Sequence, residues 1–139
     1  METAREKLQA VRDALGDFQR VLERYEKAKS RAEGTQAGRY GGVAGDGNSV
    51  HHAKHIALEN YIQVREELGE TLNYWLDLLN EQQQQAAKLP NGAEKLIISY
   101  RYLFPRLLTW PQIAEKMDLS TEHCYYLHKK ALTLMEKVS

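Results

Sequence analysis

The sequence predicts an all-α protein: a long antiparallel helical hairpin of coiled-coil type over residues 1–90, then a C-terminal helix-turn-helix domain over 91–139. Three observations carry that expectation. Apolar residues recur at spacings of three and four over residues 8–25 and again over 58–79, the rhythm of helices that pack along one face. Six of the nine glycines fall within residues 34–48, between those two stretches. Beyond Pro90 the pattern shortens into segments, two of which open on strong helix-capping signals.

Residues 2–33 contain no proline and one glycine, Gly16. Leu8, Val11, Leu15, Phe18, Leu22 and Tyr25 form a heptad seam with Arg, Lys and Glu around it. A single stripe cannot bury itself, so this helix requires a partner. Residues 34–48 read as a glycine-rich linking loop. A phosphate-cradling loop would need Gly-Lys-Ser/Thr opening a helix, and that motif is absent.

Ser49 is expected to cap a second helix that runs to about Gln85. Leu58, Tyr61, Leu68, Leu72, Trp75 and Leu79 fit its seam, with Arg65 as an interruption. Gly69 costs about 1 kcal/mol in a helix interior, yet the pattern continues through it. Trp75 and Tyr74 read as core aromatics, and Gln82–Gln85 as a frayed helix end. The two long helices are expected to pair antiparallel with the glycine loop at the tip. The same seam suits oligomerisation, so a homodimer through the long helices is expected.

Leu89-Pro90-Asn91-Gly92 marks a turn and the expected domain boundary. A segment over about 92–103 follows, with Leu96, Ile97, Tyr100 and Leu103 on one face, Asn91 and Glu94 as its capping pair, and Pro105 as its end. Thr109 and Gln112 have the spacing of a capping box, Leu108 and Ile113 that of a hydrophobic staple, and Pro111 falls in the first turn. This helix should end at Met117. Ser120 then caps a last helix whose buried stripe is Cys124, Leu127, Ala131, Leu134 and Met135, with Leu119 and Cys124 repeating the staple spacing. Two capped helices joined by a tight turn read as helix-turn-helix. Its second helix would present Thr121, Glu122, Tyr125, Tyr126 and Lys129 on the exposed N-terminal face, the face that enters the major groove.

The composition narrows the function classes. The chain has 139 residues, 42% of them hydrophobic and 27% charged, with 19 basic and 19 acidic side chains. No apolar run approaches the ~18 residues of a membrane span. The N-terminus is charged from its second residue, so no signal peptide is expected. Cys124 is the only cysteine and no internal disulfide can form. The expected location is the cytoplasm, and no membrane partner is expected. Residues 91–139 hold seven basic and five acidic residues, a mild excess that suits modest rather than strong autonomous affinity for nucleic acid. His51 and His55 stand at i, i+4, but no third ligand and no H-E-x-x-H motif accompany them. No nucleophile-base order and no paired carboxylates stand out. No catalytic residue, metal or cofactor is therefore expected.

The C-terminal residues also carry a family resemblance. Thr109, Ile113, Ala114, Leu119, Ser120, Cys124, Leu127, Ala131 and Leu132 align without gaps to the region 4 helix-turn-helix of bacterial sigma factors. Trp110, Ile113, Ala114, Ser120, Cys124, Tyr125, Leu127, His128, Ala131 and Leu132 resemble the C-terminus of phage and prophage late transcription regulators of the ArpU/RinA type. The resemblance implies a sequence-specific regulator of phage or prophage genes, in a bacterial host cell, that binds double-stranded DNA and works with RNA polymerase. Its recognition face departs from the Arg- and Gln-rich face of sigma factors, with Glu122, Tyr125 and Tyr126 at the matching positions. By position and charge, Thr109, Lys129 and Lys130 are the phosphate contacts. The sequence leaves two other readings open: a small terminase-like DNA-packaging subunit, and a helical interaction module that binds no DNA.

Overall fold

The computed structural model describes the backbone of residues 2–37 and 47–138, and the side chains of 2–34 and 52–138. Within them the chain is all-helical, without a strand. It forms α1 (Ala4–Ala37), α2 (Gly47–Ala86), α3 (Gly92–Ile98), a π-helical turn (Ser99–Leu103), α4 (Trp110–Met117) and α5 (Thr121–Val138). Both long helices exceed the expected bounds. Ser49 lies inside α2 rather than ahead of it, and residues 38–46, most of the expected glycine loop, lie outside the described residues.

The chain divides into two compact units, Met1–Leu15 with Tyr74–Ser139 and Gly16–Asn73. The division falls within the long helices, not at the Leu89–Pro90 turn where the sequence placed it. Burial explains the difference. Leu8 and Val11 of α1 and Ala86 and Leu89 at the end of α2 share one core with Ile97, Ile113, Cys124 and Ala131.

In the larger unit, α5 supplies the stripe Cys124, Leu127, Ala131 and Met135, all buried. Both α3 and α4 pack against α5. Cys124 and Ala131 are 0% exposed, and such small side chains allow close helix approach. Leu134, expected in this stripe, is only partly buried against the core. Gln82 is 4% exposed inside α2, so the glutamine run is not a frayed end. Trp75 packs against the core as expected, but Tyr74 is 59% exposed.

The segment 92–103 corrects the expected face. Leu96 is 47% exposed and Tyr100 only partly buried, while Ile97, Ile98, Tyr102 and Leu103 are buried. Leu96 lies off the side that Glu94, Ile97 and Ile98 bury in α3, and after Ile98 the π turn sets the face. Its i→i+5 bonding widens the turn, so residues five apart, Ile97 with Tyr102 and Ile98 with Leu103, fall on the same side. Asn91 makes no side-chain cap; its Nδ2 donates to Glu94 Oε1 at 3.1 Å.

The caps of the last two helices form as the sequence dictates. Thr109 Oγ1 accepts from the Gln112 N–H at 3.3 Å, and Gln112 Oε1 accepts from the Thr109 N–H at 2.8 Å. Leu108 and Ile113 are both buried beside this box. Asp118 ends α4 in the left-handed region, φ 55°, the one described non-glycine residue at positive φ. The Leu119 N–H reaches Ala114 O at 3.0 Å and the Asp118 N–H reaches Glu115 O at 3.2 Å, which closes a Schellman motif. Ser120 Oγ then accepts from the His123 N–H at 3.1 Å, while Leu119 remains 36% exposed.

In the smaller unit, Val21 and Ala28 of α1 bury with Val64 of α2, flanked by Tyr25, Tyr61 and Leu68. The Tyr25 and Tyr61 hydroxyls lie 3.3 Å apart, and Arg24 pairs with Glu67 at 3.0 Å. The buried positions depart from the expected seams. Phe18, Leu22 and Tyr25 are only partly buried, Val64 replaces Leu58, and Leu58 is 49% exposed.

The two leucines offer a direct check. Leu8 is 0% exposed, so Leu8→Ala should cost about 2–5 kcal/mol through lost transfer energy and a cavity. Leu58→Ala, at concentrations too low for chains to associate, should stay within about 0.5 kcal/mol of wild type. Equal losses for both in urea unfolding would contradict the burial pattern.

Candidate nucleic-acid interface

The first half of α5 faces outward because its other side is filled. Cys124, Leu127 and Ala131 lie against the core, so Glu122, Tyr125, Tyr126 and Lys129 fall on the opposite side at helical spacing. Tyr125 is 48% and Tyr126 60% exposed. Thr121 is half-buried and Glu122 and Lys129 are exposed. Thr109, at the start of α4, is exposed; its hydroxyl oxygen is occupied by the cap and its hydroxyl hydrogen can still donate.

Of the seven residues expected to meet DNA, six lie open or half-open as free side chains or cap. Lys130 is as open, its side chain 47% exposed, but it is paired. It sits at the edge of this face and pairs with Glu94 Oε1 at 3.4 Å. Glu94 is only 1% exposed in the first turn of α3, and its second oxygen meets no protein partner. Lys130 is thus part of the junction of α3 with α5. Its Nζ supplies the positive charge beside a buried carboxylate oxygen that Asn91 also meets.

An aromatic chain supports the face from behind. The Trp110 ring meets Tyr125 edge-on at 4.9 Å and His128 edge-on at 4.9 Å. The Arg101 guanidinium lies 4.7 Å from the Trp110 ring centre and donates from Nη1 to Leu108 O at 3.3 Å. His128 stacks on Tyr102, and a hydrogen bond of 2.7 Å joins its Nε2 to the Tyr102 hydroxyl. Tyr126 stacks on His123 at 6.0 Å. Tyr125 is therefore held by packing on Trp110, whereas Tyr126 extends further into solvent.

Burial and the charges of Arg101 and Arg5 push the His128 pKa down to about 4. Burial lifts the Tyr102 phenol above its ordinary value, against the opposing charges of Arg5, Arg101 and Arg12. Both rings are neutral at pH 7, so either can donate the shared hydrogen bond. Burial also raises the Cys124 thiol, which suits an inert core residue. Burial first, then the Arg101 charge, lowers the pKa of Arg12.

Arg5, Arg12, Arg101 and Tyr102 were not singled out in the sequence, and Glu94 was read only as a cap partner of Asn91. A signal existed for two of them: Arg5 and Arg12 flank Leu8 on the same helical face, and a charge beside a seam is worth noting. Nothing local marks Arg101, whose position depends on the π turn. Among the described residues, no three His, Cys, Asp or Glu side chains gather as a metal site requires. The His51 side chain lies outside the described residues, and His55 pairs with Glu59 at 2.9 Å. No described helix is long and apolar enough to cross a membrane.

The His128 environment has a measurable consequence. Folded His128 takes a proton only near pH 4, whereas its ordinary value is 6.5. Between those values the unfolded state binds more protons, so stability falls as pH drops through that window and is full above it. The loss is at most about 1.4 kcal/mol per pH unit. His128→Gln, which keeps a partner for Tyr102, should flatten this part of the stability profile. Parallel profiles for variant and wild type between pH 4 and 6.5 would contradict it.

No family model, no curated protein and no solved structure matches this chain.

Proposed function

We propose that this chain is a sequence-specific DNA-binding transcriptional regulator of phage or prophage genes, acting through α4 and α5 as a helix-turn-helix that follows the two long helices in the chain. One observation carries the reading. Two capped helices joined by the Asp118 turn leave the N-terminal half of α5 outward, with Glu122, Tyr125, Tyr126 and Lys129 exposed together. That arrangement suits the major groove, which accepts one helix and is read by side chains near its start. Tyr125 and Tyr126 supply hydroxyls and ring edges for bases, Glu122 an acceptor for a cytosine amino group, and Lys129 and Thr109 contacts to phosphates. Thr121 lies at the helix start beside them. Lys130 belongs with the structural pairs.

A gel shift with the intergenic duplex beside the gene, with and without RNA polymerase, tests the reading. Tyr126→Ala should relax sequence preference by about 1–3 kcal/mol. Lys129→Ala should weaken all duplexes alike and lower the salt slope by about one. Both variants should stay folded, because neither side chain belongs to the buried stripe. Absence of duplex binding at low salt, alone and with polymerase, would leave the interaction-module reading in its place.

The reading includes a homodimer through the long helices. Its support is the smaller unit, where the fully buried residues are Val21, Ala28 and Val64 while Ile56, Leu58 and Ile62 are 51%, 49% and 40% exposed. Leu58 and Ile62 stand one helical turn apart, as an anchor for a second helix would. Light scattering should give twice the chain mass, and Leu58→Glu with Ile62→Glu should give the single mass. A clean monomer of the wild-type chain at tens of micromolar (about) would end the dimer proposal.

A further inference from the structure

One side of the smaller unit holds an open hollow between α1 and α2, lined by Lys29, Ala32, Glu33, Leu58 and Tyr61. Its volume is about 180 Å³. An apolar cavity of about 150 Å³ takes a benzene ring, so the hollow has room for one large apolar side chain. Leu58 and Ile62, one helical turn apart, share this side of α2 and are both exposed.

Lys29 and Glu33 form the rim on α1. Both are exposed, and neither makes an ion pair with a described residue. Their spacing alone would allow one, since Glu23 and Lys27, at the same spacing on α1, pair at 3.6 Å. The order differs. An acid ahead of its base suits the helix, and the reverse order of Lys29 and Glu33 does not. Two opposite charges therefore border an apolar hollow, and each is open to a partner from another chain.

The register of the two helices aligns these features. Contacts run in opposite order along α1 and α2: Arg24 pairs with Glu67 at 3.0 Å, and Glu33 lines the hollow with Leu58. Arg31 lies seven residues after Arg24 and Asn60 seven before Glu67, so the two stand at one level. They also line one further cavity together. Arg31 is the midpoint of Lys29 and Glu33, and Asn60 is the midpoint of Leu58 and Ile62. A half-turn about an axis that crosses both helices at that level exchanges Lys29 with Glu33 and Leu58 with Ile62. A two-fold interface demands this kind of self-complementarity.

We infer that a second copy of this chain docks on this face, each long helix antiparallel to its counterpart. The partner's Ile62 sits in the hollow against Leu58, and Lys29 of each copy faces the partner's Glu33. The inference rests on the homodimer reading above and gives that dimer its interface and direction. Apolar side chains supply the burial at the centre and charges the rim. The charges also set the direction. In a parallel arrangement α1 would lie against the partner's α2, with Lys29 opposite Ile62 and Glu33 opposite Leu58, a charge against an apolar side chain at each site.

Light scattering and sedimentation of the full chain test the interface. Lys29→Glu alone, or Glu33→Lys alone, places like charges opposite each other at both symmetric sites. Each should weaken the dimer by about tenfold or more. Mixed in equal amounts, the two variants should form a heterodimer within about threefold of wild-type affinity, because each site then holds one acid and one base. Circular dichroism should be unchanged, since both positions are exposed. Mixing alters no charge within either chain, so recovery reports on contact between chains. A wild-type dimer that neither variant weakens, or weakened variants that mixing does not rescue, would overturn this interface and leave the dimer itself standing. A monomeric wild-type chain would end the interface and the dimer reading together.

Discussion

Burial of one stripe on α5 is the constraint on which the larger unit depends. Cys124, Leu127, Ala131 and Met135 face the core together, and α3 and α4 both pack against that helix. Each large apolar side chain withdrawn from water contributes about 1.5–3 kcal/mol, set against the entropy of ordering it. Once that side of α5 is filled, the helix has one orientation. Glu122, Tyr125, Tyr126 and Lys129 must then point outward, and the candidate interface is the complement of the core.

Polar groups fix the details that apolar burial leaves open. The π turn brings Tyr102 inside and leaves Arg101 at its edge. Tyr102 then holds His128 from α5 at 2.7 Å, and Arg101 covers Trp110 from α4. Three elements are joined through a few directional contacts in a low-dielectric setting, where each contact is stronger and each omission costs more. Glu94 illustrates the second half of that statement. Its pairing with Lys130 ties α3 to α5, while its other oxygen meets no protein donor, so the junction depends on keeping Lys130 in place.

The smaller unit is built to a different standard. Val21, Ala28 and Val64 are small side chains, and the ion pair of Arg24 with Glu67 is exposed, where such pairs contribute about 0–1 kcal/mol. Long helices of this kind draw their stability from packing rather than from intrinsic propensity. Its exposed leucine and isoleucines, Leu58, Ile56 and Ile62, stand outside that small core.

The sequence by itself determined the helices and the starts of the last two. Heptad spacing marked the two long ones, and side-chain oxygens at Thr109 and Ser120 marked the starts of α4 and α5, because capping is chemistry within four residues. It also determined the exposed face of α5, since a helix of known phase with a clear apolar stripe has only one other side. Tertiary structure decided what spacing cannot express. Which seam positions are buried depends on what stands opposite: Val64 is inside and Leu58 outside although both suit a helical stripe. The π turn changed the phase after Ile98, so the apolar face read at ordinary helical pitch was displaced. The pairing of Lys130 with Glu94 joins residues far apart in the chain. Charges of this kind look like solvated surface in a sequence, and only the fold brings them close enough to act on one another.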